Sequence, residues 1–292
     1  MTDRQTRKTE VVRSHVLQLL TILAGWVVIG PLHLWAADEP CVRLGGQAVQ
    51  GGLLWGQVAP EAHVRFAGQA VPVLPDGSFL IGLGRDAPTS NVLEIVGPNA
   101  CVQDVRVGDR AYRLQLIEGV PQRTVTPSEA EQVRIARERE KVRAAKALRL
   151  ERPEMIDEIR AGFQWPVTGP ISGVYGSQRI YNGSPGAPHY GVDIARPTGT
   201  PVLAPASGRV TLAEPDLFYS GGTVILDHGY GLSSSFLHMS AVSVSVGDEL
   251  QPGDVIGAIG ATGRATGPHL DWRMSWFAQR IDPQLLVPPM PE

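Results

Sequence analysis

The side chains best suited to chemistry lie in three short stretches of the chain. HYGVD carries His189 and Asp193, FLHMS carries His238, and GPHLDW carries His269 and Asp271. Imidazole nitrogens and carboxylate oxygens bind divalent cations, and a cation so held activates water for hydrolysis. An even separation keeps His189 and Asp193 on one side of an extended segment, and four residues is also one helical turn. Either conformation presents both groups to one ion. In GPHLDW the separation is two, so on a strand His269 and Asp271 share one face of the pleat.

Other residues invite chemistry less. Ser233, Ser234 and Ser235 precede His238 without a nucleophile-elbow pattern and read as ordinary strand residues. GAIGATG at 257–263 is spaced GxxGxxG and is followed by proline and a strand. A dinucleotide loop needs GxGxxG between a strand and a helix, so these are expected to be turn glycines. His228, in DHGYG, is expected to brace a turn, and His63 to be a surface or packed histidine. Arg179 and Tyr181, on the approach to HYGVD, are candidates to line a substrate groove.

The elements that must position these groups follow from patterning. From residue 162 to 292, PVTGPISGVYG, TPVLAPASGRVTLAE, TVILDHGYGLSSSFLHMS and HLDWRMSW succeed one another between glycines and prolines, which predicts an all-β unit. Residues 38–120 predict a smaller β-sandwich, because HVRFAG and NVLEIVG alternate apolar and polar positions and Pro75-Asp76-Gly77 supplies a tight turn. It resembles the Ig-like modules that precede catalytic domains in exported proteins. Between them, 121–161 reads as a charged helical linker. Thr126 at N-cap, Pro127 at N1 and Glu129 at N3 give a capping box. Val133, Ala136, Val142, Ala145 and Leu148 form a thin apolar stripe, and Pro153 breaks the helix. Sustained apolar heptads are missing, so no coiled coil is expected.

Composition bounds the rest. The chain has 292 residues, 43% of them hydrophobic, and a formal net charge of −3, which excludes an electrostatic grip on nucleic acid. Arg4, Arg7, Lys8 and Arg13 precede an uncharged run from Val16 to Ala37, followed by Asp38 and Glu39. Residues 1–37 therefore read as a secretory signal peptide, the alternative being an uncleaved membrane anchor over 16–34. Either one places the remainder in an exported, periplasmic setting. The two cysteines, Cys41 and Cys101, lack CxxC spacing and are expected to form a disulfide across the ends of the first domain.

The ordered motifs HxxxD, a lone His in a strand, and TGPHLD resemble those of the M23 (lysostaphin and LytM type) metallopeptidases. The resemblance runs from about Pro166 to Pro283 and includes GVYGSQRIYNG, DIARPTGTPVLAPASGRV and VSVGDELQPGDVIGAIGATGRATGPHL. It implies a LytM-like antiparallel β domain that binds one Zn²⁺ through His189 and Asp193. His238 and His269 would be unliganded catalytic histidines. The family's third ligand is the second His of HxH, and here that place is held by Asp271. Carboxylate oxygen reaches zinc at about 2.0–2.2 Å, close to the imidazole distance, so the replacement is chemically allowed. One His with two carboxylates formally neutralises Zn²⁺, which is expected to weaken its Lewis acidity and to suit other divalent ions such as Mn²⁺.

The implied function is an exported endopeptidase that hydrolyses peptide cross-links of peptidoglycan, between D-alanine and a diamino acid, through a metal-activated water. The contrasting expectation is a catalytically inactive LytM-like module that binds and regulates a cell-wall amidase, an envelope protein partner. A plain envelope scaffold with structural histidines is the third.

Overall fold

The computed structural model describes residues 41–117, 127–148, 150–181 and 184–291. The expected signal or anchor, and the expected cap residue Thr126, lie outside them. Among the described residues no helix is long and apolar enough to cross a membrane.

The first region contains β1 (Gly45–Gly46), β2 (Leu53–Gln57), β3 (His63–Phe66), β4 (Gln69–Val71), β5 (Ser78–Gly82), β6 (Ser90–Val96) and β7 (Cys101–Arg106). They form two sheets, ordered β1-β2-β5 and β4-β3-β6-β7. In β6, Asn91, Leu93 and Ile95 are buried while Val92 and Val96 face out. That alternation is what a sheet with one covered face selects. β5, SFLIG, is buried throughout. Its Phe79 and Ile81 meet Val64, Leu93 and Val105 of the other sheet. Leu80, on the opposite face, enters a second core described below. Cys41 and Cys101 form the expected disulfide, with Cα atoms 6.1 Å apart.

The linker holds α1 (Glu129–Ala147) and α2 (Met155–Ala161). The cap differs from expectation. Ser128, not Thr126, is the N-cap of α1, and Glu131, not Glu129, closes the box, its carboxylate accepting from Ser128 N at 2.7 Å. The sequence offers S-x-x-E two residues after T-x-x-E, and the later register wins, with Pro127 left outside the helix. The apolar stripe is also narrower. Val133 and Leu148 are exposed, and Ile135 and Ala145 are the buried residues of α1. α1 ends before Pro153, and α2 begins just after it.

The remaining strands are β8 (Leu114–Ile117), β9 (Ile171–Gly173), β10 (Gln178–Tyr181), β11 (Ser184–Pro185), β12 (Val192–Ala195), β13 (Pro201–Leu203), β14 (Gly208–Leu217), β15 (Gly221–Gly229), β16 (Leu232–Val242), β17 (Glu249–Leu250), β18 (Val255–Ile259), β19 (His269–Trp276) and β20 (Gln279–Ile281). β8 pairs in parallel with β10. The main sheet runs β17-β14-β15-β16-β19-β12-β9, with β18 and β20 paired to β16 and β19.

Its two faces differ in chemistry. One presents Val224, Leu226, Phe236, Leu270, Trp272 and Met274 to a core that also takes Leu53 and Leu80 from the first region and Met155, Ile156 and Ile159 from α2. The other carries polar side chains, set by the register Asp193↔Asp271↔Leu237 and Ser235↔Arg273. α1 lies along part of that polar face. Ala145 packs with Leu212, Leu217 and Ile225, and Lys146 Nζ donates to Ser275 Oγ at 3.2 Å. Ion pairs Lys141–Glu214 (2.7 Å) and Arg134–Asp216 (3.1 Å) tether the helix to β14.

Candidate metal centre

Backbone pairing brings the two aspartates together. Asp193 on β12 stands opposite Asp271 on β19, so their side chains leave the same face of the sheet. His189 precedes β12 and is pinned by its backbone, which donates to Ser177 O at 2.8 Å and accepts from Gly176 N at 2.7 Å. Two glycines leave room for the carboxylates. A Cβ at Gly173 would lie 2.1 Å from Asp193 Oδ2, and one at Gly191 would lie 2.5 Å from Asp271 Oδ1. The stretches GVYG and YGVD thus carry glycine where a side chain would fill the site.

His238 reaches the site through a backbone irregularity. Strict alternation along β16 would put residue 238 on the face opposite Leu237, away from Asp271. The register of β15 and β16 shifts between Phe236 and Met239, with one residue too many on β16, and His238 has φ +65°. A bulge of this kind re-aims a side chain, and a non-glycine residue held at positive φ costs about 1–3 kcal/mol. The imidazole is thereby placed beside His269, ring centroids 4.9 Å apart. Each ring bonds a carbonyl through Nδ1, His238 to Thr262 O and His269 to Gly267 O, both at 2.8 Å. A carbonyl only accepts, so in the neutral ring Nδ1 carries the proton and Nε2 holds a lone pair. Burial lowers the pKa of His238 and outweighs the Thr262 bond, which favours the neutral ring.

The donor set fits a cation. One ligand atom each from His189, Asp193 and Asp271 lies within 4.8 Å of the others. His189 Nε2 and Asp193 Oδ1 are buried and only 3.1 Å apart, yet neither has a hydrogen-bond partner. Two such groups left unsatisfied cost about 1–3 kcal/mol each, a penalty a shared cation removes. His269 Nε2 is 3.9 Å from Asp193 Oδ1, at the edge of the same cluster.

Arg273 is the residue sequence reasoning missed. Its Nε lies 3.0 Å from both Asp271 oxygens and its Nη2 2.5 Å from Oδ2. Burial alone would raise the Asp271 pKa, but the charge and hydrogen bonds of Arg273 prevail and hold the carboxyl below its ordinary range. Oδ1, which accepts from Nε alone, keeps a lone pair for a metal, and carboxylate ligands are commonly hydrogen-bonded from behind. The signal was present in HLDWR, because residues 271 and 273 are two apart on one strand and share a face. This corrects the expected charge of the centre. Arg273 returns the positive charge that exchanging a neutral His for Asp271 removes.

Other expectations are met or revised. His63 is an exposed strand residue, and Ser233, Ser234 and Ser235 lie in β16. His228 braces strands, not a turn. Inside β15, its Nδ1 bonds Ser207 O at 2.7 Å, its Nε2 bonds Ser234 Oγ at 2.8 Å, and burial lowers its pKa to about 4. Of the 257–263 glycines, Gly263 has positive φ, whereas Gly257 lies within β18, where a Cβ would come 2.2 Å from Ala241 O. Close strand approach, not a turn, explains it. Arg179 donates to Gln115 Oε1 of β8 at 3.3 Å. The side chain of Tyr181 lies outside the described residues.

The chain is similar in sequence and fold to known peptidases. The family model described as Peptidase family M23 matches residues 187–283. The DD-carboxypeptidase/endopeptidase Mpg of Neisseria meningitidis serogroup B is 39% identical over 104 residues, 36% of this chain and 24% of that protein. The peptidoglycan DD-endopeptidase ShyA of Vibrio cholerae is 40% identical over 88 residues, 30% of this chain and 20% of that one. The chain thus spans about a quarter or less of these curated relatives. A crystal structure from Pseudomonas aeruginosa that carries the name peptidase M23 is 30% identical and superposes with a TM-score of 0.61, covering 82% of this chain and 95% of that one.

Proposed function

The chain belongs to peptidase family M23, and on that premise we propose that it is an exported, zinc-dependent endopeptidase that hydrolyses peptide cross-links of peptidoglycan. The observation that carries the reading is the pair of orphaned donors, His189 Nε2 and Asp193 Oδ1, beside the Asp271 carboxylate and two half-satisfied histidines. Names of the matched relatives supply the substrate class. The basic-then-apolar N-terminus and the Cys41–Cys101 disulfide support export, because disulfides persist in oxidising compartments.

His189, Asp193 and Asp271 would hold the ion. Bound there, it supplies Lewis acidity and a more acidic water. His238 and His269, each protonated at Nδ1, offer Nε2 to accept a proton from the attacking water and return it to the leaving amine. The backbone bond from each Nδ1 fixes the ring that must do this. Arg273 orients Asp271 and keeps the centre formally cationic. No side chain is needed as a covalent nucleophile.

One observation favours a second reading. Both Asp271 oxygens face Arg273, and a guanidinium that replaces the metal outright would leave an inactive module regulating a cell-wall amidase. Metal content by mass spectrometry, alongside digestion of cross-linked muropeptides, separates the two. The wild type should hold one divalent ion and cleave, and Asp271→Ala should lose both. Asp271→His alone strands the Arg273 charge, so recovery should require Arg273→Met in the same chain. A wild type that stays metal-free and leaves cross-links intact under every divalent ion supplied establishes the regulator instead.

A further inference from the structure

Beneath α1 lies a cavity of about 890 Å³ whose wall includes Lys146, Ser235, Leu237, Arg273 and Arg280. It begins one step from the metal centre. Leu237 is the register partner of Asp271 and Ser235 that of Arg273, and Arg273 both grips Asp271 and lines the cavity.

Its electrostatics are one-sided. Arg139 also borders it, as does Arg143, which is ion-paired with Glu140, and the acid of the lining, Glu138, is already engaged by Arg134 at 2.6 Å and by Phe218 N at 2.8 Å. Lys146 bonds the Ser275 hydroxyl, and among the described residues neither Lys146 nor Arg280 meets a carboxylate. Burial, reinforced by mutual repulsion with Arg273, lowers the pKa of both. A second sign is Ser235, 5% exposed, whose buried Oγ has no partner although it borders the same space. Lys146 and Arg280, two cations without a carboxylate beside an unused hydroxyl, are unfavourably placed unless an anion joins them. Ile225 and Leu237 give the cavity an apolar side suited to the carbon skeleton of such a ligand.

We infer that this cavity is a subsite for a carboxylate of the peptide substrate, received by Lys146, Arg280 and the exposed side of Arg273 next to the scissile bond. It rests on the peptidase reading above and adds a ligand class and a partner element to it. α1 lies outside the segment 187–283 matched by the family, so the subsite is built partly from this chain's own linker. A diamino-acid residue beside the cleaved bond carries such a carboxylate, and its amide would not satisfy the cations.

The test is calorimetric binding of an uncross-linked stem peptide, with its carboxylates free or amidated, to the full zinc-loaded chain. The free acid should bind about tenfold more tightly. Lys146→Met and Arg280→Met should each bring the two peptides within about twofold, whereas Lys146→Arg should keep the preference. Circular dichroism checks that each variant is folded, and Arg280→Met decides the matter if Lys146→Met is not. Equal affinity of the wild type for both peptides, or an undiminished preference in both Met variants, overturns the inference. Cleavage of cross-linked dimers is followed in parallel. Turnover without carboxylate preference removes the subsite and leaves the peptidase. Preference without turnover removes the peptidase and leaves the subsite.

Discussion

The two β regions are both built from sheets, two small ones in the first and a main one of ten strands in the second, and they differ in what they bury. Among the described residues the first region buries two polar side chains, Ser78 and Asn91, each bonded close by in sequence, to Asp76 and Pro88. The C-terminal region buries twelve, from Ser207 to Asp282. Polarity alone does not mark the site, because His228 is as buried as any core residue and has both nitrogens bonded. What distinguishes the site is incomplete satisfaction. His238 and His269 are bonded through Nδ1, and His189 Nε2 and Asp193 Oδ1, 3.1 Å apart, are left without hydrogen-bond partners. A fold tolerates such gaps where something else is to occupy them.

That contrast can be broken by substitution. The largest effect is expected for His189→Ala, which should empty the centre and abolish cleavage, read as metal per chain and muropeptide products. Next, His238→Ala should cut turnover about 10²–10⁴-fold while metal content stays at the wild-type level. Loss of the metal instead would make His238 a ligand. In the first region, Phe79→Ala should cost about 3–5 kcal/mol in urea denaturation and leave turnover per folded molecule unchanged.

A pH series on His228 gives a somewhat smaller effect of definite sign. Its folded pKa of about 4 lies below the unfolded value, so its stability contribution is complete above about pH 6.5 and is lost as pH falls toward 4, on the order of 3 kcal/mol. Its neighbour Asp227 acts oppositely. Burial raises its pKa to about 6, so its contribution is complete below about pH 3.8 and is lost as pH rises through 6. His228→Gln should therefore gain stability relative to the wild type as pH is lowered from 6 to 4; parallel pH profiles would show that the ring titrates normally. The smallest effect is expected for Ser128→Ala, about 1 kcal/mol from the lost cap, seen as fraying of α1 by hydrogen exchange.

Much of this was legible beforehand, for identifiable reasons. Period-two alternation marks strands, so the β regions and the shared face of residues 269 and 271 could be read directly. The two-sided burial of β5 was not legible, because SFLIG holds only three successive apolar side chains behind a serine. His238 was legible as a residue but not as a geometry, because alternation aims it the wrong way and only a bulge between the neighbouring strands β15 and β16 corrects it. Arg273 is not legible from a pattern of metal donors, because a cation enters such a site only by neutralising one of them. The cap slipped by two residues because two overlapping S/T-x-x-E patterns compete, and propensity does not separate them.

The core that joins the two β regions bears on how the chain can be dissected. Leu53 and Leu80 pack with Ile281, Met274 and α2, Arg110 reaches Asp282 at 2.8 Å, and a Cβ on Gly82 would strike Trp276 at 2.7 Å. A recombinant fragment cut at residue 162 would carry that wall bare to solvent. Its poor solubility or self-association would then report an exposed seam, and say nothing against the chemistry on the other face of the sheet.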